Sequence, residues 1–210
     1  CVSNTIKNKL KSNYQIYKSK VIQNGIKLKT KQKRKFSSNI NFIAVGHLSN
    51  LKNIMFLIKI FQNLDVKNKL HIYGSGNNLG LSIKSKNIIF HGYKDKLDKI
   101  YSSSHCLISA SKSEGTPLSV LEAICTGCLI FLSNIPAHQE IIENLKLEKK
   151  YLFELGSSKE LIHKIKSVEK FYDQKFLLAV EKARNFYNSK IMSEKHYFLY
   201  KELINEKFKK

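Results

Sequence analysis

From residue 39 onward, short apolar runs alternate with stretches in which apolar positions recur every three or four residues. Residues 40–45 read as a buried strand closed by Gly46, and Ile54, Leu57, Ile58 and Phe61 then predict a helix over 53–64. Further strands are predicted at 70–73, 88–91, 106–110, 129–133 and 151–154, and helices at 96–103, 117–126, 137–144 and 159–171. Short apolar strands separated by helices imply a parallel sheet, so the predicted fold class is α/β: a doubly wound, mostly parallel, Rossmann-like sheet with helices on both faces. After residue 176 the pattern gives two more helices, one to about 187 and one from 193 onward. In the last of these, Tyr197, Tyr200, Ile204 and Phe208 share one face and read as a packing stripe. Before residue 39 the signal is weaker. Ile6, Leu10, Tyr14 and Tyr17 have a helical period, 20–23 read as a short extended stretch ending at an Asn24-Gly25 turn, and 27–35 read as a basic linker.

Charge changes this picture at the amino end. The formal net charge is +21, and residues 1–40 hold eleven Lys or Arg and no acid. Such a patch suits an anionic membrane surface or nucleic acid. No aromatic motif or helix-turn-helix pattern accompanies it, so nucleic acid is not expected, whereas peripheral contact with an anionic membrane is; a noncatalytic basic module is the rival class. No apolar run approaches the roughly 20 residues that cross a bilayer, and no apolar signal core follows the first charges. The expected location is therefore cytoplasmic, with peripheral contact at the inner membrane face. The chain starts at Cys1 and not at Met, so part of a longer protein is expected. The four cysteines form no dense framework; Cys125 and Cys128 make a lone C-x-x-C, open to redox or half-zinc readings but read as small buried hydrophobes.

In open α/β sheets ligands sit beyond the carboxyl ends of the strands, so the chemistry is sought in those loops. The first, Gly46 to Asn53, puts a glycine, His47 and Lys52 where a helix begins, which suits an anion. The second, Gly74-Ser75-Gly76-Asn77-Asn78, permits a tight turn or close backbone approach; with Leu79 where a third glycine belongs it is no dinucleotide fingerprint, and NAD is not expected. The richest stretch is Ser111 to Ala123. There Thr116 can cap a helix, Pro117 fits its first position, Glu114 precedes it, and Glu122 can reach back toward a ligand at its amino end. Ser119, Glu122 and Thr126 also stand at helical spacing, as an ordinary polar stripe does.

Taken together, VGHLSNLKN, IYGSGN, IIFHGY and SEGTPLSVLEAICTG resemble the donor-binding domain of family 4 retaining glycosyltransferases of the GT-B fold, over about residues 20 to 205. The most specific element is the pair Glu114 and Glu122, eight positions apart. The resemblance implies that Glu114 contacts the donor sugar, that Glu122 binds the ribose hydroxyls, and that the backbone of Gly115, Thr116, Pro117 and Leu118 approaches sugar and phosphate. It further implies that Lys52 neutralises the diphosphate, and it places Gly46, His47, Gly74 and Tyr93 around the nucleotide. His47 stands where the family usually has an arginine, and Thr116-Pro117 where Phe-Gly is common; a neutral imidazole lacks the charge and fork of guanidinium. The implied organisation is 1–38 as the end of an amino-terminal domain plus linker, 39–188 as the donor domain, and 189–210 as a helix returning to the acceptor domain. The implied activity is sugar transfer from a nucleotide-sugar donor to a glycan or lipid-linked acceptor, with no metal, no cofactor beyond that donor, and no activity without the amino-terminal domain. A nucleotide-sugar epimerase of similar fold is the alternative within enzymes.

Overall fold

A computed structural model of the chain describes residues 1–27, 30–37, 39–76 and 85–207. Leu79, Asn77, Asn78 and Phe208, which entered the reading above, lie outside the described residues. One sheet of six strands, β1 (Ile40–Val45), β2 (Asn68–Tyr73), β3 (Ile88–Phe90), β4 (Cys106–Ser109), β5 (Leu129–Ser133) and β6 (Leu152–Phe153), runs in the order β3-β2-β1-β4-β5-β6. Every pair is parallel, as the near-continuous apolar runs require: each residue of β5 is buried, and Phe42, Ile43, Leu70, Leu107 and Ile108 form the sheet's interior.

The strand order turns back at β1, which has β2 on one side (Ile40 opposite Asn68, Val45 opposite Tyr73) and β4 on the other (Phe42 opposite Cys106). Right-handed crossovers then put the connecting helices of the two halves on opposite faces. Accordingly α2 (Ile54–Gln62) packs with α6 (Ser158–Lys166), whereas α4 (Leu118–Cys125) packs with α3 (Asp98–Ser103) and α7 (Gln174–Phe186), and α7 also meets α5 (Pro136–Leu145). Two elements stand outside this sandwich. Helix α1 (Asn4–Tyr14) buries no residue of its own and rests on α5, and α8 (Ser189–Lys207) follows α7.

Several expectations are corrected. Residues 20–23 form no strand: the Ile22 amide bonds the Cys1 carbonyl, and the bridge nearby is Ile26 with Asn188, because no edge of the sheet reaches this segment. The helix predicted over 159–171 breaks at Ser167 (φ −123°, ψ 28°) into α6 and a short 3-10 turn, Val168–Phe171. Strand β6 has two residues and not four, since Tyr151 belongs to a 3-10 turn. The last helix starts at Ser189, and its stripe is not core: Tyr197, Tyr200 and Ile204 are exposed, with Phe198 and Leu203 beside them. The cysteines behave as expected, with Cys106, Cys125 and Cys128 buried and unpaired, and burial pushes the Cys125 and Cys128 thiols up to about 12.

The basic linker is not a solvated tether. Arg34 donates through Nε to the Ser104 carbonyl (2.7 Å) and through Nη2 to those of Tyr101 (2.7 Å) and Thr126 (3.2 Å). Its neighbour Phe36 packs against His105 and Tyr172.

Candidate functional site

The reversal at β1 opens a crevice between the loops after β1 and β4, and two of the residues singled out from the sequence meet there. Lys52 Nζ donates to Glu114 Oε1 at 2.6 Å, across 62 positions of sequence. The loops are also joined through backbone, by the Lys112 amide on the Leu51 carbonyl (2.8 Å). Gly46 supports the pair. A Cβ added there would lie 3.0 Å from Lys52 Cε, so the lysine's stem lies directly over a backbone with no side chain.

Gly74 serves the same crevice from β2. Its φ is +145°, and an added Cβ would stand 1.9 Å from the Gly46 carbonyl oxygen, so two loops approach at a distance only glycine allows. Beside them Val45, Gly46, His47, Gly74, Tyr93 and Leu97 line a cavity of about 200 Å³. Leu97 also borders a second cavity of about 590 Å³, whose walls include Tyr101, Leu118 and Glu122, with Gly25 and Lys27 of the linker above. The two spaces therefore adjoin. His47 and Tyr93 are exposed at the rim.

Glu122 does not sit in a solvated polar stripe. It is half-buried and faces the larger cavity one helical turn below Leu118, while Thr126 is buried with its hydroxyl on the Ala123 carbonyl. Burial first, and then the charge of Glu122, raise the Tyr101 phenol far above its ordinary range. Glu114 and Lys52 line neither cavity; the structure brings them to each other and to Gly46 at the wall of the smaller one.

The start of α4 differs from expectation. Pro117, at ψ 106°, is the cap residue and Leu118 the first helical one, and the Thr116 hydroxyl does not cap: it donates to the Val2 carbonyl (3.1 Å), because residues 1–6 pack against this loop. Ser3, 3% exposed, donates to the Gly115 carbonyl (3.1 Å), and Ile6 covers Gly115.

Sequence reasoning also missed His138. This buried imidazole uses Nδ1 to bond the Ser133 carbonyl (2.8 Å), which leaves Nε2 toward the Ser109 hydroxyl (3.4 Å) below the Lys52–Glu114 pair. Burial lowers its pKa to about 4, with Glu114 opposing and Lys52 adding to the shift, so it is a neutral support. A lone histidine on the apolar face of an amphipathic helix carries no signal that marks it beforehand. Among the described residues, no group of three or more His, Cys, Asp or Glu could hold a metal.

Over residues 26–188 the chain matches the family model of the glycosyl transferases group 1. The chain belongs to that family. Among curated relatives, the poly(glycerol-phosphate) alpha-glucosyltransferase of Bacillus subtilis (strain 168) is 28% identical over 173 residues, covering 72% of the chain and 25% of the relative. An uncharacterized glycosyltransferase of Haemophilus influenzae is 29% identical over 152 residues, covering 67% and 42%. The chain thus spans well under half the length of these relatives. Among solved structures, sucrose-phosphate synthase from Thermosynechococcus elongatus has a TM-score of 0.78 at 15% identity, covering 98% of the chain and 58% of its own. Anabaena HepE in complex with UDP-glucose has a TM-score of 0.73 at 15% identity, covering 87% and 57%. At these identities the likeness establishes the fold alone: the chain has a Rossmann-like α/β architecture. No described helix is long and apolar enough to cross a membrane.

Proposed function

We propose that the chain supplies the donor site of an enzyme that moves a sugar from a nucleoside diphosphate to a glycan or lipid-linked acceptor, with retention at the anomeric carbon. The observation that carries this reading is the Lys52–Glu114 pair over Gly46, beside the adjoining cavities of His47, Gly74, Tyr93, Leu118 and Glu122. Cleavage of the anomeric bond leaves a diphosphate whose growing negative charge must be met where it forms. Lys52 supplies a full charge, and the amino end of α4 supplies oriented amides. Glu114 shares Lys52 with the diphosphate and faces the sugar, while Glu122 takes the ribose hydroxyls. His47 adds no fixed charge, so Lys52 carries the diphosphate's neutralisation. The share of its relatives that the chain spans supports a division of labour in which it binds donor and a further domain, reached through α8, binds acceptor.

Calorimetric titration of the chain with UDP, other nucleoside diphosphates and their sugars tests the reading; no binding to any of them overturns it. In the complete enzyme Lys52→Ala is expected to lower turnover about a hundredfold or more, and Glu122→Ala to weaken donor binding with little change in turnover. Unchanged turnover removes Lys52 from the chemistry, and an unchanged donor dissociation constant removes Glu122 from the site. The anomeric configuration of the product, read by NMR, tests retention. A peripheral contact with anionic membrane is part of the same proposal. It is supported by exposed Tyr14, Ile16 and Tyr17 set among the lysines of residues 7–20. Sedimentation with phosphatidylserine vesicles that weakens as salt rises is the expected result, and equal binding to phosphatidylcholine removes the electrostatic part.

A further inference from the structure

The amino end of α1 is tied down by a residue of a different helix. Glu140, on α5, accepts the Asn4 amide (2.7 Å) on Oε1, and on Oε2 the Thr5 amide (2.8 Å) and the Thr5 hydroxyl (2.7 Å). The next amide, of Ile6, is taken by the Ser3 hydroxyl (3.2 Å), which caps the helix. The first three donors of α1 are thereby met, two of them by a carboxylate, the group that the positive end of a helix holds best. The direction of α1 is set by Glu140.

That direction fixes a loop on the other side. The Ser3 hydroxyl that caps α1 also donates to the Gly115 carbonyl, and the Thr116 hydroxyl donates back to the Val2 carbonyl. Val2 and Ser3 lie as a strap across Gly115 and Thr116, with Ile6 Cδ1 within 3.5 Å of where a Gly115 Cβ would be. The residue before Gly115 is Glu114, whose carboxylate holds Lys52. We infer that Glu140 is a positioning residue: it orients α1, α1 holds the Gly115–Thr116 turn, and the turn holds Glu114 against Lys52. The inference rests on the donor-site reading above for its functional consequence, and on the hydrogen bonds alone for the mechanical coupling. A mere staple of α1 to α5 gives the same hydrogen bonds to Glu140 but no dependence of the loop on it.

The test uses the full chain carrying Glu140→Ala, the near-isosteric Glu140→Gln, Ser3→Ala, and Glu140→Ala with Ser3→Ala, each first confirmed folded by its thermal melt. Hydrogen exchange read by mass spectrometry is expected to rise in Glu140→Ala both at residues 4–7 and at 114–118, with Glu140→Gln between it and the parent. In titrations with UDP and UDP-glucose, Glu140→Ala is expected to weaken UDP-glucose about tenfold and UDP by less than threefold, because the strap governs Glu114 on the sugar side. The double variant is expected to be no weaker than Glu140→Ala within a factor of two, since Ser3 acts downstream. Exchange that rises at 4–7 alone, equal weakening of both ligands, or multiplicative losses in the double variant overturn the inference. If the parent chain binds neither ligand, the donor-site reading fails, and the exchange at 114–118 still decides the coupling.

Discussion

Gly74, directly after β2, and Gly115, in the loop after β4, make opposite demands on their backbones. Gly74 has φ +145° and its missing Cβ would overlap the Gly46 carbonyl oxygen at 1.9 Å, so Gly74→Ala must bend one loop away from the other. A loss of at least about 2 kcal/mol is expected in urea unfolding. At Gly115 an added methyl meets only Ile6 Cδ1 at 3.5 Å, an ordinary contact, and Gly115→Ala is expected to stay within about 1 kcal/mol of the parent. Equal losses at the two positions contradict the assignment of strain to the β1–β2 crossing. The sequence did not separate the two demands: the Gly74 loop was open to a tight turn or a close backbone approach, and Gly115 was read only through the resemblance. Their difference comes from a neighbour 28 residues away in one case and an amino-terminal helix in the other, and neither contact is written in local pattern. The resemblance implied separate donor contacts for Lys52 and Glu114 and not their pairing with each other, because lysine is common throughout this chain and the juxtaposition depends on β1 lying beside β4.

At the scale of elements, the strands were legible because a strand buried on both faces must be apolar throughout, and all six were placed correctly to within a few residues. Helix boundaries were less so. Thr116 and Pro117 have the chemistry of a cap and a first turn, but packing against residues 2–3 took the threonine hydroxyl elsewhere. The contacts of the linker were not legible either. Among the eleven cations of residues 1–40 Arg34 is the one arginine, but nothing in local pattern shows that it reaches three carbonyls at the ends of α3 and α4. Those carbonyls are helix-terminal acceptors that only a donor from outside can satisfy, and the guanidinium fork matches them. Arg34→Ala is expected to destabilise the chain by about 2–3 kcal/mol in chemical denaturation. Arg34→Lys should recover less than half of that, since one ammonium cannot span Ser104, Tyr101 and Thr126 together. Full recovery by lysine reduces the role of Arg34 to charge alone.

For the whole molecule, four histidines share one response to acid. Burial is the leading cause of a lowered pKa at His71, His91, His105 and His138; the His91 charge adds to it at His71 and the Lys94 charge at His91, the two rings being joined at 2.8 Å between Nδ1 and Nε2. His105 has a further reason to stay neutral, because its Nδ1 accepts the Asn41 amide at the start of the sheet (3.0 Å). Each folded pKa lies below the unfolded value of 6.5, so the unfolded chain binds more protons below that pH. The stability is therefore complete above pH 6.5 and is lost as the pH falls from 6.5 toward the folded values. For His138, which falls from 6.5 to about 4, the loss on reaching pH 4 is about 3 kcal/mol. Lowered carboxylates such as Asp173 lose their contribution in the same direction, so the total curve does not isolate the imidazole. The comparison with His138→Asn does, because asparagine keeps a donor for the Ser133 carbonyl and removes the titration. The variant's unfolding free energy should fall less steeply than the parent's between pH 6.5 and 4, by about 3 kcal/mol in total. Parallel curves over that interval would show that protons reach His138 without unfolding the chain, and that the support under Lys52 and Glu114 is softer than its burial implies.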